Sequence, residues 1–208
     1  PSWIKQFSSN EDFQFQKISV SEIQSRINWN RSTWSSVKSY GSGKHIVLYF
    51  LPNKQAIENI SVEVHYELYD GLPLIVKWVE VINHSNKIIS VNRIVNESLA
   101  LVEEESAVVG GPEQMKKQHG IYVETNYAFN NAMRYDISDQ TTHWLTDSTY
   151  TSQVNYNYQT PCVLEVYPAK VLAVSIKPEE KIISQRTHEL LMDGYDRERR
   201  GMMIQRMY

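Results

Sequence analysis

The stretch from His143 to Tyr158, HWLTDSTYTSQVNYNY, sets Trp144, Tyr150, Tyr156 and Tyr158 among Asp147, Gln153, Asn155 and Asn157. Sugars present C–H faces that pack on aromatic rings and hydroxyls that need amide or carboxylate partners, so this mixture suits a glycan surface. Trp144, Asp147, Tyr150, Asn155 and Asn157 are therefore the candidate carbohydrate-binding residues. Read as a strand, residues 154–158 put Asn155 and Asn157 on one face and Val154, Tyr156 and Tyr158 on the other. An ordinary sandwich strand alternates in the same way, so core and surface packing is the competing reading.

Other patterns are weaker. Gly41-Ser42-Gly43-Lys44 resembles the tail of a phosphate loop, but Lys38 stands where the pattern needs Gly, and His45 where it needs Ser or Thr. A strand follows, so no helix N-terminus faces the phosphate, and a hairpin turn is expected. The six histidines, at 45, 65, 84, 119, 143 and 188, show no HxH or HExxH spacing. They read as side chains on solvated strand faces and in turns, and only a fold could gather them around a metal. No GxSxG elbow occurs, and Cys162, the one cysteine, reads as a small buried apolar residue. Glu103-Glu104-Glu105 reads as a solvated turn. No catalytic residue, metal ligand set or cofactor site is assigned.

The elements that would carry these residues are strands. Val (19) and Ile (18) outnumber Leu (12) and Ala (7), and thirteen Tyr add to the β-formers; branching at Cβ favours the pleated sheet. A net charge of −3 gives no field that would draw the chain to nucleic acid, and the acids among Arg197, Arg199, Arg200 and Arg206 argue for a solvated or interdomain helix. The longest apolar runs are a few residues, so no membrane insertion is expected.

Residues 1–43 read as irregular, with ten serines between Ser8 and Ser42 and one short helix over Ser19–Ile27. Residues 44–192 read as the β domain. Its clearest strand is 59–69, where Ile60, Val62, Val64, Tyr66 and Leu68 form a buried face and Ser61, Glu63, His65, Glu67 and Tyr69 a wetter one. Strands at 74–82 and 88–95 continue it as a three-stranded meander, and the first strand runs 45–51. Further strands are expected at 99–103, 107–109, 121–124, 133–137, 153–158, 163–167, 171–176 and 182–191. Residues 193–208 read as a helix supported by Asp193/Arg197 and Asp196/Arg200 pairs. A start at Pro1 and an end inside a helix suggest a domain excised from a longer protein.

The text VHYELYDGLPLIVKWVEVIN at 64–83 carries a resemblance. Through Tyr66, Glu67, Tyr69, Asp70, Gly71, Pro73, Lys77, Trp78 and Asn83 it resembles the N-terminal β-supersandwich domain of bacterial alpha-galactosidase-like glycoside hydrolases. SQVNYNYQTP at 152–161 and ELLMDGYDRERRGMMIQRMY at 189–208 look like large secreted proteins of Bacteroidetes. The resemblance covers residues 45–208 and implies an all-β, antiparallel, two-sheet supersandwich of the galactose mutarotase-like kind with a C-terminal linker helix. It also implies a secreted or periplasmic location, a catalytic domain of the same polypeptide as partner, a glycan substrate nearby, and room for homo-oligomer formation. Galactose mutarotases carry a catalytic His where this chain reads Asn96-Glu97-Ser98-Leu99, and their base is matched only by position, by Glu165 or Glu189.

Three readings follow. The leading one is a non-catalytic domain that supports a glycoside hydrolase's catalytic domain and contacts the glycan. The others are an aldose epimerase using His143 or His188 with a Glu, and a structural spacer without ligand.

Overall fold

A computed structural model describes residues 13–26, 41–53, 57, 59–101, 119–127, 141–145, 162–168 and 173–207. Twelve strands and one helix lie in these residues: β1 (Phe13–Glu22), β2 (Gly43–Pro52), β3 (Ile60–Tyr69), β4 (Leu74–Asn83), β5 (Ile89–Val91), β6 (Glu97–Ala100), β7 (Ile121–Thr125), β8 (Thr142–Leu145), β9 (Val163–Val166), β10 (Val174–Ile176), β11 (Lys181–Ile183), β12 (Thr187–Leu191) and α1 (Arg197–Met207). The large sheet runs β1-β2-β3-β4-β12-β7, with β11 also on β4; β6-β9-β8 and β5-β10 form two smaller sheets. Every pairing is antiparallel. The protein is thus an all-β antiparallel assembly closed by a C-terminal helix. Among the described residues no helix is long and apolar enough to cross a membrane.

The core follows from alternation. Leu74, Val76 and Trp78 point inward from β4 and meet Leu190 of β12; Met203, Ile204 and Met207 of α1 pack against them. Each such side chain, fully buried, contributes about 1.5–3 kcal/mol. Cys162, Leu164 and Val166 repeat the pattern on β9 and are fully buried, so the cysteine is the small apolar residue expected. Helix α1 is capped by Asp196, whose Oδ1 accepts the Arg199 amide. Asp193 pairs with Arg199 rather than with Arg197 as its spacing suggests.

Several expectations are corrected. Ser19–Ile27 is not a helix: β1 occupies its first part, inside the segment read as irregular. A bulge between Phe15 and Lys17 lets Phe13, Phe15, Ile18 and Val20 all sit opposite residues of one β2 face, namely Pro52, Phe50, Leu48 and Ile46. Their spacing in sequence keeps a period of two except for a step of three across the bulge, which hides the strand. The Gly41–Lys44 stretch is not a hairpin turn but leads into β2, where a Cβ on Gly43 would lie 2.0 Å from the Leu68 carbonyl oxygen. Of the expected three-stranded meander only the β3-β4 pair forms; the 88–95 segment leaves the sheet and pairs with β10 as β5, and the third strand beside β3 is β2 instead. The 182–191 strand is two strands, β11 and β12, separated at residues 184–186. Strand β8 was not expected from the sequence. The strands expected at 107–109, 133–137 and 153–158, and the turn at Glu103–Glu105, lie outside the described residues.

Two buried asparagines hold the crossings between sheets. Asn96, 1% exposed, donates from Nδ2 to the Lys77 carbonyl (3.0 Å) and to Thr187 Oγ1 (2.6 Å), while its Oδ1 accepts from Ser184 Oγ. Asn83 donates to the carbonyls of Lys87 (2.7 Å) and Ile176 (3.0 Å) and accepts from the Ser85 amide and hydroxyl. An amide carries two donors and an acceptor, so one side chain can bind groups from several segments at once: Asn96 joins the start of β6 to β4 and β12, and Asn83 joins the end of β4 to β10.

Candidate functional site

Trp144 is half-buried on β8, where it sits opposite the fully buried Leu164 of β9. Asp147, Tyr150, Asn155 and Asn157 lie outside the described residues. His143 points to the opposite face from Trp144. There its ring stacks on Tyr167 at 3.9 Å, with Nε2 3.2 Å from the Tyr167 carbonyl oxygen. Arg93 lies 4.0 Å from the Tyr167 ring and 3.7 Å from Glu165, the residue opposite His143 in register.

A denser cluster lies on the face of β2-β3-β4 that the sequence marks as wet. The register sets His65 against Trp78 and His45 against Glu67, all on one face. The rings stack, with His65 4.7 Å and His45 5.4 Å from Trp78 at interplanar angles of 10° and 14°. Arg26 and Arg186 lie 4.5 and 4.8 Å from the indole, within cation–π range. Arg26 also ion-pairs with Glu67, whose other oxygen accepts the Tyr69 hydroxyl at 3.0 Å. Glu80 accepts Trp78 Nε1 at 3.1 Å and pairs with Lys181. His65 and Glu67 are 6% and 2% exposed, whereas Leu68 on the supposedly buried face is 40% exposed. The polar face of β3 is thus the more deeply buried at this end, because charges that pair across strands and with Arg26 can leave water together.

Burial sets the protonation of this cluster. It lowers the His65 pKa to about 4 and lowers that of His45, so both rings are neutral at pH 7 and stack without mutual repulsion. Burial, followed by the charge of Glu67, pushes the Tyr69 hydroxyl up to about 12. Glu63 is raised by burial and then by Glu80. For Glu80 burial works upward, but the hydrogen bonds from Lys181 and Trp78 win and the net shift is down.

A second buried group lies on the other face. Lys77 Nζ donates to both oxygens of Glu97 at 2.9 Å, and Glu189 of β12 lies close enough to feel the Glu97 charge. Burial, then the Glu97 charge, raises the Glu189 pKa to about 8. Burial disfavours the Lys77 ammonium, yet Glu97 and Tyr66 outweigh it and hold it charged. The sequence reading placed Glu189 and the Asn96–Leu99 segment separately; the fold brings Glu189 and Glu97 together. His188, by contrast, points to the other face of β12, opposite Glu124, and burial lowers its pKa. The sequence signal for the first cluster was the Glu63-x-His65-x-Glu67 alternation on β3, whose burial no sequence pattern reveals.

No protein-family model matches the chain, and no curated protein matches it. Among solved structures, it is similar to the alpha-galactosidase from Lactobacillus brevis, at 10% identity and a TM-score of 0.47, over 86% of this chain and 27% of that one. It is also similar to a substituted form of the GH36 alpha-galactosidase AgaA from Geobacillus stearothermophilus in complex with stachyose, at 10% identity and a TM-score of 0.48, over 89% of this chain and 29% of that one. AgaA itself gives 10% identity and a TM-score of 0.46 over the same shares. The chain spans less than a third of the length of each of these proteins.

Proposed function

We propose that this chain is a non-catalytic β-supersandwich domain, of the galactose mutarotase-like kind, in a larger carbohydrate-active protein resembling the alpha-galactosidases of Bacteroidetes. It acts outside the cytoplasm, secreted or periplasmic. It braces a catalytic domain of the same polypeptide, with α1 as the connection, and contacts the glycan through Trp144, Asp147, Tyr150, Asn155 and Asn157. Association with a second copy of the chain belongs to the same reading.

One observation carries the reading: the polar residues of the VHYELYDGLPLIVKWVEVIN motif are engaged inside the domain. Glu67 is held by Arg26 and Tyr69, Lys77 by Glu97, Trp78 Nε1 by Glu80, and Asn83 by the backbone of Lys87 and of Ile176 in β10. Gly71, at φ 71°, supplies the left-handed turn that joins β3 to β4. Arg206 of α1 donates to the carbonyl of that same glycine at 2.9 Å, which ties the helix to the motif. Groups committed in this way position elements and are not free to act on a substrate.

The test is the size of the native protein in its source, by immunoblot against this chain. A band far heavier than 24.2 kDa is expected, and a band at 24.2 kDa sinks the proposal. For the glycan contact, Trp144→Ala should weaken affinity for galactosides with an unchanged circular-dichroism spectrum; unchanged affinity removes Trp144 from the site. The epimerase reading draws on the Glu97–Glu189 pair, where one carboxyl keeps its proton near neutrality. Both side chains are nearly inaccessible, at 6% and 5% exposure. Interconversion of glucose and galactose anomers should therefore run no faster than in buffer alone.

A further inference from the structure

The register of β3 against β4 sets Glu63 directly opposite Glu80, with His65 two residues along on the same face of β3. Like charges opposite one another on neighbouring strands repel. Here little water is left to screen them, since Glu80 is 7% and His65 6% exposed. His65 Nε2 lies 3.3 Å from Glu63 Oε2 and 3.6 Å from Glu80 Oε1, yet it is buried and makes no hydrogen bond. On the other side of the ring, Nδ1 is 3.0 Å from His45 Nε2. When Nδ1 carries the proton of that bond, Nε2 presents a bare lone pair to two carboxylates, an arrangement that calls for a cation between them. One donor atom from each of the three residues lies within 4.8 Å of the others.

We propose that Glu63, His65 and Glu80 bind a divalent first-row metal ion, with Zn²⁺ the best fit. Zinc takes imidazole nitrogen and carboxylate oxygen at about 2.0–2.2 Å in a tetrahedron, which spaces its ligand atoms about 3.3–3.6 Å apart. His65 Nε2 stands at that spacing from both carboxylates. The ion cancels the Glu63–Glu80 repulsion and satisfies Nε2. It also leaves a fourth position for water on the side of Glu63, the most exposed of the three at 23%. The outer contacts a bound metal needs are in place: His45 Nε2 can accept the proton on His65 Nδ1, which leaves Nε2 to ligate, and Trp78 Nε1 at 3.1 Å orients Glu80 Oε1. Lys181 competes for Glu80 through its other oxygen, and at 49% exposure its ammonium can turn to solvent when the ion enters. Lys17 and His84 are the other cationic or titratable groups acting on Glu63. This site is independent of any glycan contact.

The experiment is calorimetric titration of the full chain with ZnCl₂ at pH 7.5, together with the visible spectrum of the Co²⁺ adduct. One zinc per chain and the intense bands of four-coordinate cobalt are expected. Glu63→Gln, made at the most exposed ligand so that folding survives, should weaken binding roughly tenfold or more. Glu198→Gln, on α1, should leave binding unchanged. Absence of zinc uptake by the folded chain overturns the site, as does a Glu63→Gln variant, folded by circular dichroism, that binds as the wild type does.

Discussion

The Lys77–Glu97–Glu189 group makes a quantitative demand on stability. Glu189 is 5% exposed and its carboxyl ionises only at about 8, against 4.5 for the free group, because burial and the Glu97 charge both oppose a second negative charge there. The folded protein therefore keeps a proton that the unfolded chain has already released. Wherever the native state binds more protons, stability falls as pH rises, and the fall ends once both states are ionised. Below pH 6.5 the opposite trend intrudes. His65, His45 and His188 have pKa values lowered by burial, so the stability they contribute is lost as pH drops through 6.5. The clean window is pH 6.5 to 8, where Glu189 dominates among these groups. About 1.5 pH units at about 1.4 kcal/mol each amount to about 2 kcal/mol. With an m value of about 2 kcal/mol per molar urea, the unfolding midpoint should drop by roughly 1 M across that window. Urea denaturation at pH 6.5, 7.2 and 8.0 reads this directly. Glu189→Gln retains a donor toward Glu97 but cannot ionise, so its midpoint should stay level. A level wild-type midpoint, or a variant that falls in parallel with the wild type, would refute the assignment of the proton to Glu189.

Two further outcomes follow from backbone geometry. Gly43→Ala sets a methyl 2.0 Å from the Leu68 carbonyl oxygen and should cost about 3 kcal/mol or prevent folding, whereas Gly71→Ala, with nothing within 4 Å, should cost only about 1–2 kcal/mol for its left-handed φ; equal losses in a thermal melt would contradict this ranking. Asp196→Ala removes the cap on α1 and should cost about 1 kcal/mol, read as a loss of helical signal with the sheet retained.

Much of the fold was legible because its central hairpin is built by local rules. Residues 60–69 and 74–83 alternate cleanly, and Asp70-Gly71 supplies the turn, so β3 and β4 could be placed from sequence alone. The helix was equally plain, and so was the burial of Cys162 beside an apolar strand. The Val- and Ile-rich composition settled the all-β class, since branched side chains favour strands whatever their partners are.

What stayed hidden depends on partners distant in the chain. The bulge in β1 offsets its apolar residues, and only pairing with β2 shows that they share a face. Strand β5 follows β4 in sequence, yet it joins β10, because Asn83 ties the chain there to Ile176 and turns it out of the sheet. The face of His65 and Glu67 looks solvated by residue type. Its burial depends on Arg26, from beyond the end of β1, and on Arg186, just before β12, both of which lie over Trp78. Sequence alone determined which residues alternate and where the chain turns, because those are properties of neighbours. Only the tertiary structure decided which charges meet, because a carboxylate's partner, and hence its proton, is set by strands that pair across a hundred residues.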